Sequence, residues 1–262
     1  MTTPTLRLAN TRYSPWSERA RWVLDHHRLP YQSLDHLPFV GERRLRRLAG
    51  VGQRHDDKNK RVTVPLLLVG DQPITESWEI AKYADREGKG AALIPAERES
   101  EIRRWNDLAD AAMSAGRGLI AGAILASPAA LDETLPRGIP RALKPLLRPV
   151  TRYGMRWFAR KYDVQMHDQA PRELLIRSTL AALREALGTE ANAGEGPYLV
   201  GSFSYADIVM ALCLQGISPV DDRYIRLGPA TRAAWTRADL SREFSDLIAW
   251  RDRLYQRYRS PK

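Results

Sequence analysis

The chain has 262 residues, of which 44% are hydrophobic and 27% are charged, enough to bury the core of one or two domains. Cys213 is the only cysteine, which excludes an internal disulfide, a Cys-x-x-Cys redox pair and a thiolate zinc site. A net charge of +10 favours anionic ligands or surfaces without choosing among them. We expect a soluble, cytoplasmic protein, because the N-terminus lacks an apolar signal segment and the longest apolar stretch is too short to span a membrane.

The first 87 residues alternate predicted strands and helices. A strand over residues 5–9 is followed by a turn at Ser14-Pro15 and by a helix whose apolar positions recur at steps of three and four residues from Trp16 to His27. A second strand is predicted within residues 31–37 and a short helix or loop within 41–49. The polar residues 53–61 are expected to be exposed.

A strongly apolar strand is predicted over residues 62–69, and a turn leads from it to a short partner that ends at Ile74. Pro65 lies inside this segment, where a proline normally argues against a central strand, and a cis peptide between Val64 and Pro65 would reconcile the two. A further helix is predicted to open at Thr75-Glu76-Ser77. The order is therefore β-α-β, a hairpin and a helix.

Residues 88–95 form the best candidate for a linker, because two glycines and a proline interrupt the helical pattern there. After it only helical periodicity remains, over residues 98–126, 141–162, 172–187, 204–217 and 241–258. We therefore expect an α/β domain at 1–87 and an all-helical domain at 96–262.

Ser14 is the first candidate for chemistry. It has the residue type of a helix N-cap, and Pro15 occupies the first helical position, where a missing N–H costs nothing. A helix N-terminus carries partial positive charge and free backbone donors, so a thiol bound beside this hydroxyl would ionise more readily. A purely structural cap is the alternative.

At this point the sequence resembles the glutathione S-transferase superfamily. Ser14-Pro15-Trp16-Ser17 stands where thioredoxin-fold proteins carry their Cys-x-x-Cys turn, and Val64-Pro65-Leu66-Leu67 resembles their cis-proline strand. Glu76-Ser77 and the residues after it are similar to the glutathione-binding turn. Ser204-Tyr205-Ala206-Asp207 resembles the N-capping box of the helical domain, which we expect to stabilise the fold. The resemblance covers most of the chain and implies a thioredoxin-like α/β domain followed by an all-α helical bundle.

The resemblance also implies a glutathione site. The backbone of Val64, before Pro65, would pair with the cysteinyl part of glutathione as an added strand. Glu76 would bind the α-ammonium of the γ-glutamyl end, and Ser77 with its helix N-terminus would bind the α-carboxylate. The family commonly has a basic residue shortly before the cis-proline segment for the glycine carboxylate, whereas here the nearest cations are Arg61 and Lys60, so that contact is left unassigned.

A serine-type enzyme is implied, with Ser14 as the catalytic hydroxyl. A serine cannot form a mixed disulfide with glutathione, so thiol–disulfide exchange is disfavoured. It can donate a hydrogen bond to the glutathione thiolate, lower the thiol pKa and leave the thiolate to attack a hydrophobic electrophile. Tyr13 and Ser17 are rival hydroxyls. We expect Trp16, Met113 and Arg117 to line the electrophile pocket.

Glutathione is thus expected as co-substrate, and homodimerisation carries over from the resemblance alone. No metal is expected, because the five histidines show neither HxxxH nor HExxH spacing. Nucleic acid is not an expected partner, because no RNP-type motif or aromatic-interleaved basic platform is present. The alternative function is a non-catalytic binding or carrier protein with the same fold, for apolar or anionic ligands.

The segment 137–161 is strongly basic, and no acidic residue lies between Glu133 and Asp163. Its cations recur at steps of three or four residues: Arg137, Arg141, Lys144, Arg148, Arg152, Arg156 and Arg160. The apolar residues Leu143, Leu146, Leu147, Val150, Trp157 and Phe158 are expected to lie away from them. Three prolines predict that no helix is continuous before about Val150. The segment is either a solvated face or an anion-attracting patch that contacts acidic lipid or steers substrates.

Overall fold

The computed structural model describes residues 5–51, 61–136, 138–162, 169–188 and 196–260. Its first part contains a four-stranded sheet and three helices. The strands are β1 (Leu6–Asn10), β2 (Tyr31–Asp35), β3 (Leu66–Val69) and β4 (Gln72–Ile74), and the helices are α1 (Pro15–His26), α2 (Glu42–Leu48) and α3 (Ser77–Glu87). The strand order is β2-β1-β3-β4, with β1 parallel to β2 and the other pairs antiparallel. The predicted thioredoxin-like arrangement is confirmed.

Strand β3 is shorter than predicted. It begins at Leu66, whereas the sequence pattern predicted a strand from Val62. The Val64–Pro65 peptide is cis, as predicted, and Pro65 has no N–H to give to a ladder, so pairing with β1 starts one residue later. Val62 is nevertheless buried in a small apolar cluster that includes Ala9 and Leu45. Its apolar character reflects burial and not strand pairing.

From residue 99 onward, every regular element of the described chain is helical. The helices are α4 (Glu99–Ala126), α5 (Pro128–Glu133), α6 (Lys144–Lys161), α7 (Gln169–Leu187), α8 (Tyr205–Cys213), α9 (Pro229–Trp235), α10 (Ala238–Glu243) and α11 (Ser245–Tyr258). The five longer predicted helices are present. The sequence reading missed α5, α9 and α10, whose six or seven residues are too few to show a helical period.

Helix α4 is the central element and packs against α7 and α8. Residues 96–126 are long and apolar enough to cross a membrane by length and composition alone. However, 56% of the apolar window is buried inside the protein, as expected for the core helix of a globular fold. Cys213 is buried beside it, and its thiol, whose pKa burial raises to about 12, contacts the Ala109 carbonyl.

The capping box at the start of α8 is confirmed. The Asp207 carboxylate accepts hydrogen bonds from the backbone N–H groups of Leu199 and Ser204, both at 2.9 Å, and from the Ser204 hydroxyl at 2.8 Å. Asp207 is fully buried, and this burial raises its pKa to about 6. The carboxylate therefore closes a loop onto a core helix.

The predicted break in α6 is wrong. The helix is continuous from Lys144 through Pro149 to Lys161. Pro145 lies in the first turn, where its N–H would have no partner, so only Pro149 removes a helical hydrogen bond. Arg148 donates two hydrogen bonds, at 2.8 and 2.7 Å, to Asp132 of α5 and holds this turn in place. Arg137 lies outside the described residues.

The end of the chain is fixed against α1. Arg259 is buried and donates to Glu18 Oε1 at 2.7 Å, and it also pairs with Asp25. Arg21 binds the other oxygen of Glu18. Both carboxylates belong to α1, so the helix that carries Ser14 at its start is held by the C-terminal segment.

Candidate functional site

Ser14 occupies the turn between β1 and α1. It is the N-cap of α1, with extended backbone angles (φ −73°, ψ 126°), and its Oγ accepts a long hydrogen bond of 3.5 Å from the Ser17 N–H. A hydroxyl that accepts one bond keeps its own hydrogen to donate. The side chain is half-buried at the positive end of a 12-residue helix. The position suits a donor to a bound anion.

The two rival hydroxyls lie in different surroundings. Ser17 is fully buried, and its Oγ accepts the Thr11 backbone N–H at 3.0 Å, so it supports the turn itself. Tyr13 is 45% exposed, and its ring meets the edge of Trp235 at 6.4 Å between centroids. Ser14 and Tyr13 are therefore the hydroxyls open to a ligand at this turn.

The main chain of Val64 is open. Neither its N–H nor its C=O has a hydrogen-bond partner among the described residues, because the ladder of β3 starts at Leu66. Leu66 pairs with Ala9 near the end of β1, and Ser14 follows that end by a few residues. Val64, Pro65 and Ser14 therefore lie at the same end of the sheet. An extended peptide could pair with Val64 and reach Ser14.

Glu76 and Ser77 form the start of α3. Glu76 is the N-cap residue and is exposed, and no side chain of the described residues binds its carboxylate. Ser77 is buried, and its hydroxyl accepts a hydrogen bond of 3.3 Å from Arg19 Nη1. The Glu76 carboxylate is therefore available to bind an ammonium group. The Ser77 hydroxyl retains an O–H that can donate to a carboxylate.

The sequence reading missed Arg19, which connects the predicted site residues. Its fully buried guanidinium binds Asn106 and Asp110 of α4, each at 2.9 Å, in addition to Ser77. The same Asp110 oxygen accepts the Trp16 indole N–H at 2.8 Å. An arginine three residues after Trp16, on the apolar stripe of α1, was the signal that could have indicated this network.

The residues expected to form the electrophile pocket lie around this network. The Arg117 guanidinium stands over the Trp16 ring at 3.9 Å and over the Tyr162 ring at 4.6 Å. Met113 is buried, with its sulfur 3.8 Å from Arg19. Trp16 and Arg117 are partly exposed, so these two residues form the accessible surface of the cluster. Tyr162, at the end of α6, was not predicted.

Arg117 has no carboxylate within salt-bridge distance in the part of the chain that the structure describes. Burial lowers its pKa, and burial raises the pKa of Tyr162 to about 12, so this phenol is neutral at physiological pH. A stacked guanidinium retains five N–H donors at its edge. The cluster therefore offers aromatic surface together with an unneutralised cation.

Arg61, one of the two nearest cations before Val64, is exposed, and Lys60 lies outside the described residues. The described residues contain no group of three or more His, Cys, Asp or Glu side chains placed to bind a metal ion. The site is built from hydroxyl, carboxylate, guanidinium and backbone groups.

Known proteins share this fold. Residues 13–87 match the family model of the glutathione S-transferase N-terminal domain. No curated protein matches the chain. The fold is that of solved glutathione S-transferases at low identity. A Methylobacillus flagellatus enzyme with glutathione bound is 17% identical, with a TM-score of 0.54, covering 98% of this chain and 100% of that chain.

Two fungal structures give the same result. A Ceriporiopsis subvermispora glutathione S-transferase in complex with glutathione is 17% identical, with a TM-score of 0.56, and the match covers 98% of this chain and 97% of the other. Phanerochaete chrysosporium GSTFuA2 is 14% identical with a TM-score of 0.61, covering 98% and 99% of the two chains. The likeness therefore extends over both halves of the fold.

Proposed function

We propose that the chain binds glutathione and activates its thiol for attack on a hydrophobic electrophile. The premise is that the chain has the glutathione S-transferase fold and that its residues 13–87 match the family model of that superfamily's N-terminal domain. One observation carries the proposal: the open main chain of Val64 and the Ser14 hydroxyl lie at the same end of the sheet. The bound glutathione in the solved relatives supports it.

Three groups bind the tripeptide. Val64 pairs its N–H and C=O with the cysteinyl residue as an additional antiparallel strand. The Glu76 carboxylate binds the α-ammonium of the γ-glutamyl end, and Ser77 with the first N–H groups of α3 binds the α-carboxylate. Arg19 donates to the Ser77 hydroxyl oxygen and holds this side chain at the start of α3.

Ser14 acts on the thiol. Its O–H donates to the sulfur, and this bond is strongest to the thiolate, so the thiol pKa falls. The thiolate then forms a carbon–sulfur bond with the electrophile, and the electron pair of the broken bond leaves with the displaced group. The remaining rate enhancement comes from holding the two reactants in place.

The chemical class of the electrophile is determined by Trp16, Tyr162 and Arg117. The two rings provide flat apolar surface. The guanidinium, which has no carboxylate partner among the described residues, favours an anionic substituent on the electrophile. Detoxification of such compounds in the cytoplasm, by a homodimer, is part of the proposal and rests on the resemblance.

Calorimetric titration with glutathione tests the proposal. We expect a dissociation constant between micromolar and low millimolar, and weaker binding of cysteinylglycine, which lacks the γ-glutamyl group that Glu76 and Ser77 contact. Absence of glutathione binding would favour the alternative, a carrier of apolar or anionic ligands.

A further inference from the structure

The exposed large hydrophobic side chains of the described residues are concentrated on one face. Ten such side chains are exposed, and seven of them come from the loop between β2 and α2 and from α6 with the turn before it. These seven, called the apolar face below, are Leu37, Phe39, Val40, Leu143, Leu146, Val150 and Tyr153. Leu146 is 74% exposed and Val150 58%, so two of the apolar residues that were expected to lie away from the cations of this segment are open to solvent.

The apolar face is continuous. Leu143, Leu146, Val150 and Tyr153 follow one another at steps of three and four residues, so they form one stripe along α6. The Phe39 ring meets Tyr153 at 5.8 Å and Trp157 at 5.6 Å between centroids and joins the loop to the stripe. The end of α6 is fixed to α2 by a 2.6 Å ion pair between Lys161 and Glu42.

Unpaired arginines flank the apolar face on both elements. Arg152, Arg156 and Arg160 recur every fourth residue beside the stripe on α6, and Arg43, Arg44 and Arg47 are exposed on α2. None of the six pairs with a carboxylate in the described part of the chain. Two other α6 cations are paired, since Arg148 binds Asp132 and Lys161 binds Glu42. The arginines thus carry uncompensated positive charge.

We propose that the apolar face docks on an anionic lipid bilayer. The leucines, the valines and Phe39 would enter the interfacial region, while the arginine stems lie along them and their guanidinium groups reach lipid phosphates. The aromatic rings of Tyr153 and Trp157 suit the same depth. A second copy of the chain fits less well, because pairing two such faces would bring rows of arginines together. The inference does not depend on glutathione binding.

Sedimentation with lipid vesicles tests this proposal. The wild-type protein should bind vesicles of phosphatidylcholine and phosphatidylglycerol at low salt, bind them less at high salt, and bind pure phosphatidylcholine weakly. Arg152→Gln/Arg156→Gln should weaken binding about fivefold for each arginine removed. Leu146→Ser/Val150→Ser should weaken it about tenfold or more, because both side chains leave water on docking.

Matched controls are available elsewhere on the surface. Leu174→Ser removes a 66% exposed leucine of α7, and Arg86→Gln/Arg103→Gln removes two exposed charges, so neither should change vesicle binding. All the variants change exposed positions, and equal thermal midpoints will show that they fold.

No binding to anionic vesicles at low salt would overturn the proposal. The proposal would also be overturned if Leu146→Ser/Val150→Ser abolished self-association but left vesicle binding intact. That result would identify the apolar face as an interface between copies of the chain.

Discussion

Arg19 of α1 and Asp110 of α4 form a 2.9 Å ion pair in which the guanidinium is fully buried and the carboxylate is 40% exposed. The same guanidinium reaches Ser77, and the same carboxylate holds the Trp16 indole. This ion pair therefore positions both Ser77, a predicted glutathione contact, and Trp16, a predicted contact of the electrophile. It connects the helical part of the chain to the α/β domain at the site.

Asp110→Asn should loosen both contacts. Arg19 would keep its bonds to Asn106 and Ser77 but lose its charged partner, and because water reaches Asp110 we expect a loss of about 1 to 2 kcal/mol in unfolding free energy. KM for glutathione should rise as well. Denaturant unfolding and initial rates check this. Glu101→Gln, which alters a partly exposed pair with Arg98 at the start of the same helix, is the control, and equal effects of the two changes would contradict the positioning role.

Glu76→Ala tests the ammonium contact. The ammonium of bound glutathione would lose its carboxylate, at a cost of about 2 kcal/mol or more in binding free energy, which corresponds to about thirtyfold in dissociation constant. Glu79→Ala removes an exposed carboxylate from the same helix and should leave the affinity unchanged. Unchanged affinity in Glu76→Ala would show that this residue only begins α3.

Arg117→Gln tests the acceptor class. With a chlorodinitrobenzoate as electrophile, kcat/KM should fall about tenfold or more, because the carboxylate loses a charged hydrogen-bond donor. With neutral chlorodinitrobenzene it should change little. Arg104→Gln, an exposed arginine on the same helix, is the control. An equal loss for both electrophiles would refute the assignment of Arg117 to an anionic substituent.

The pKa of Asp207 gives a pH-dependent prediction. Burial raises this pKa to about 6, above the value of about 3.9 in an unfolded chain, so the fold favours the protonated acid. The stabilisation is complete below about pH 4 and is lost as the pH rises through 6. The stability difference between wild type and Asp207→Asn should therefore fall by about 2 to 3 kcal/mol from pH 4 to 7. A constant difference would mean that Asp207 is ionised throughout.

The fold could be predicted because its signals are local. The strand, turn and helix around Ser14, the Val64-Pro65 segment and the capping box at Ser204 each depend on neighbouring residues. The two wrong predictions of secondary structure also arise from local sequence patterns. The apolar run from Val62 predicts a strand because burial and strand pairing leave the same sequence pattern. Pro149 does not break α6 because only one helical hydrogen bond is lost there.

The site was only partly predictable. Ser14, Val64, Glu76 and Ser77 belong to short motifs. By contrast, Arg19 meets Asp110, and Tyr162 meets Arg117, only after α1, α4 and α6 have packed together. Partners separated by about ninety residues, such as Arg19 and Asp110, leave no spacing to detect in one sequence. The unusual place of Arg19 on an apolar stripe was the available signal. An arginine at such a position predicts a buried polar partner but does not identify which residue it is.

The titration of bound glutathione tests the central claim most directly. Thiolate absorbance is recorded against pH at saturating glutathione in the wild type and in Ser14→Ala, with Tyr13→Phe as the control for the rival hydroxyl. We expect a lower thiol pKa on the wild-type protein than in solution, a return toward the solution value in Ser14→Ala with affinity nearly unchanged, and no change in Tyr13→Phe. Identical titration curves for the wild type and Ser14→Ala would contradict the role of Ser14.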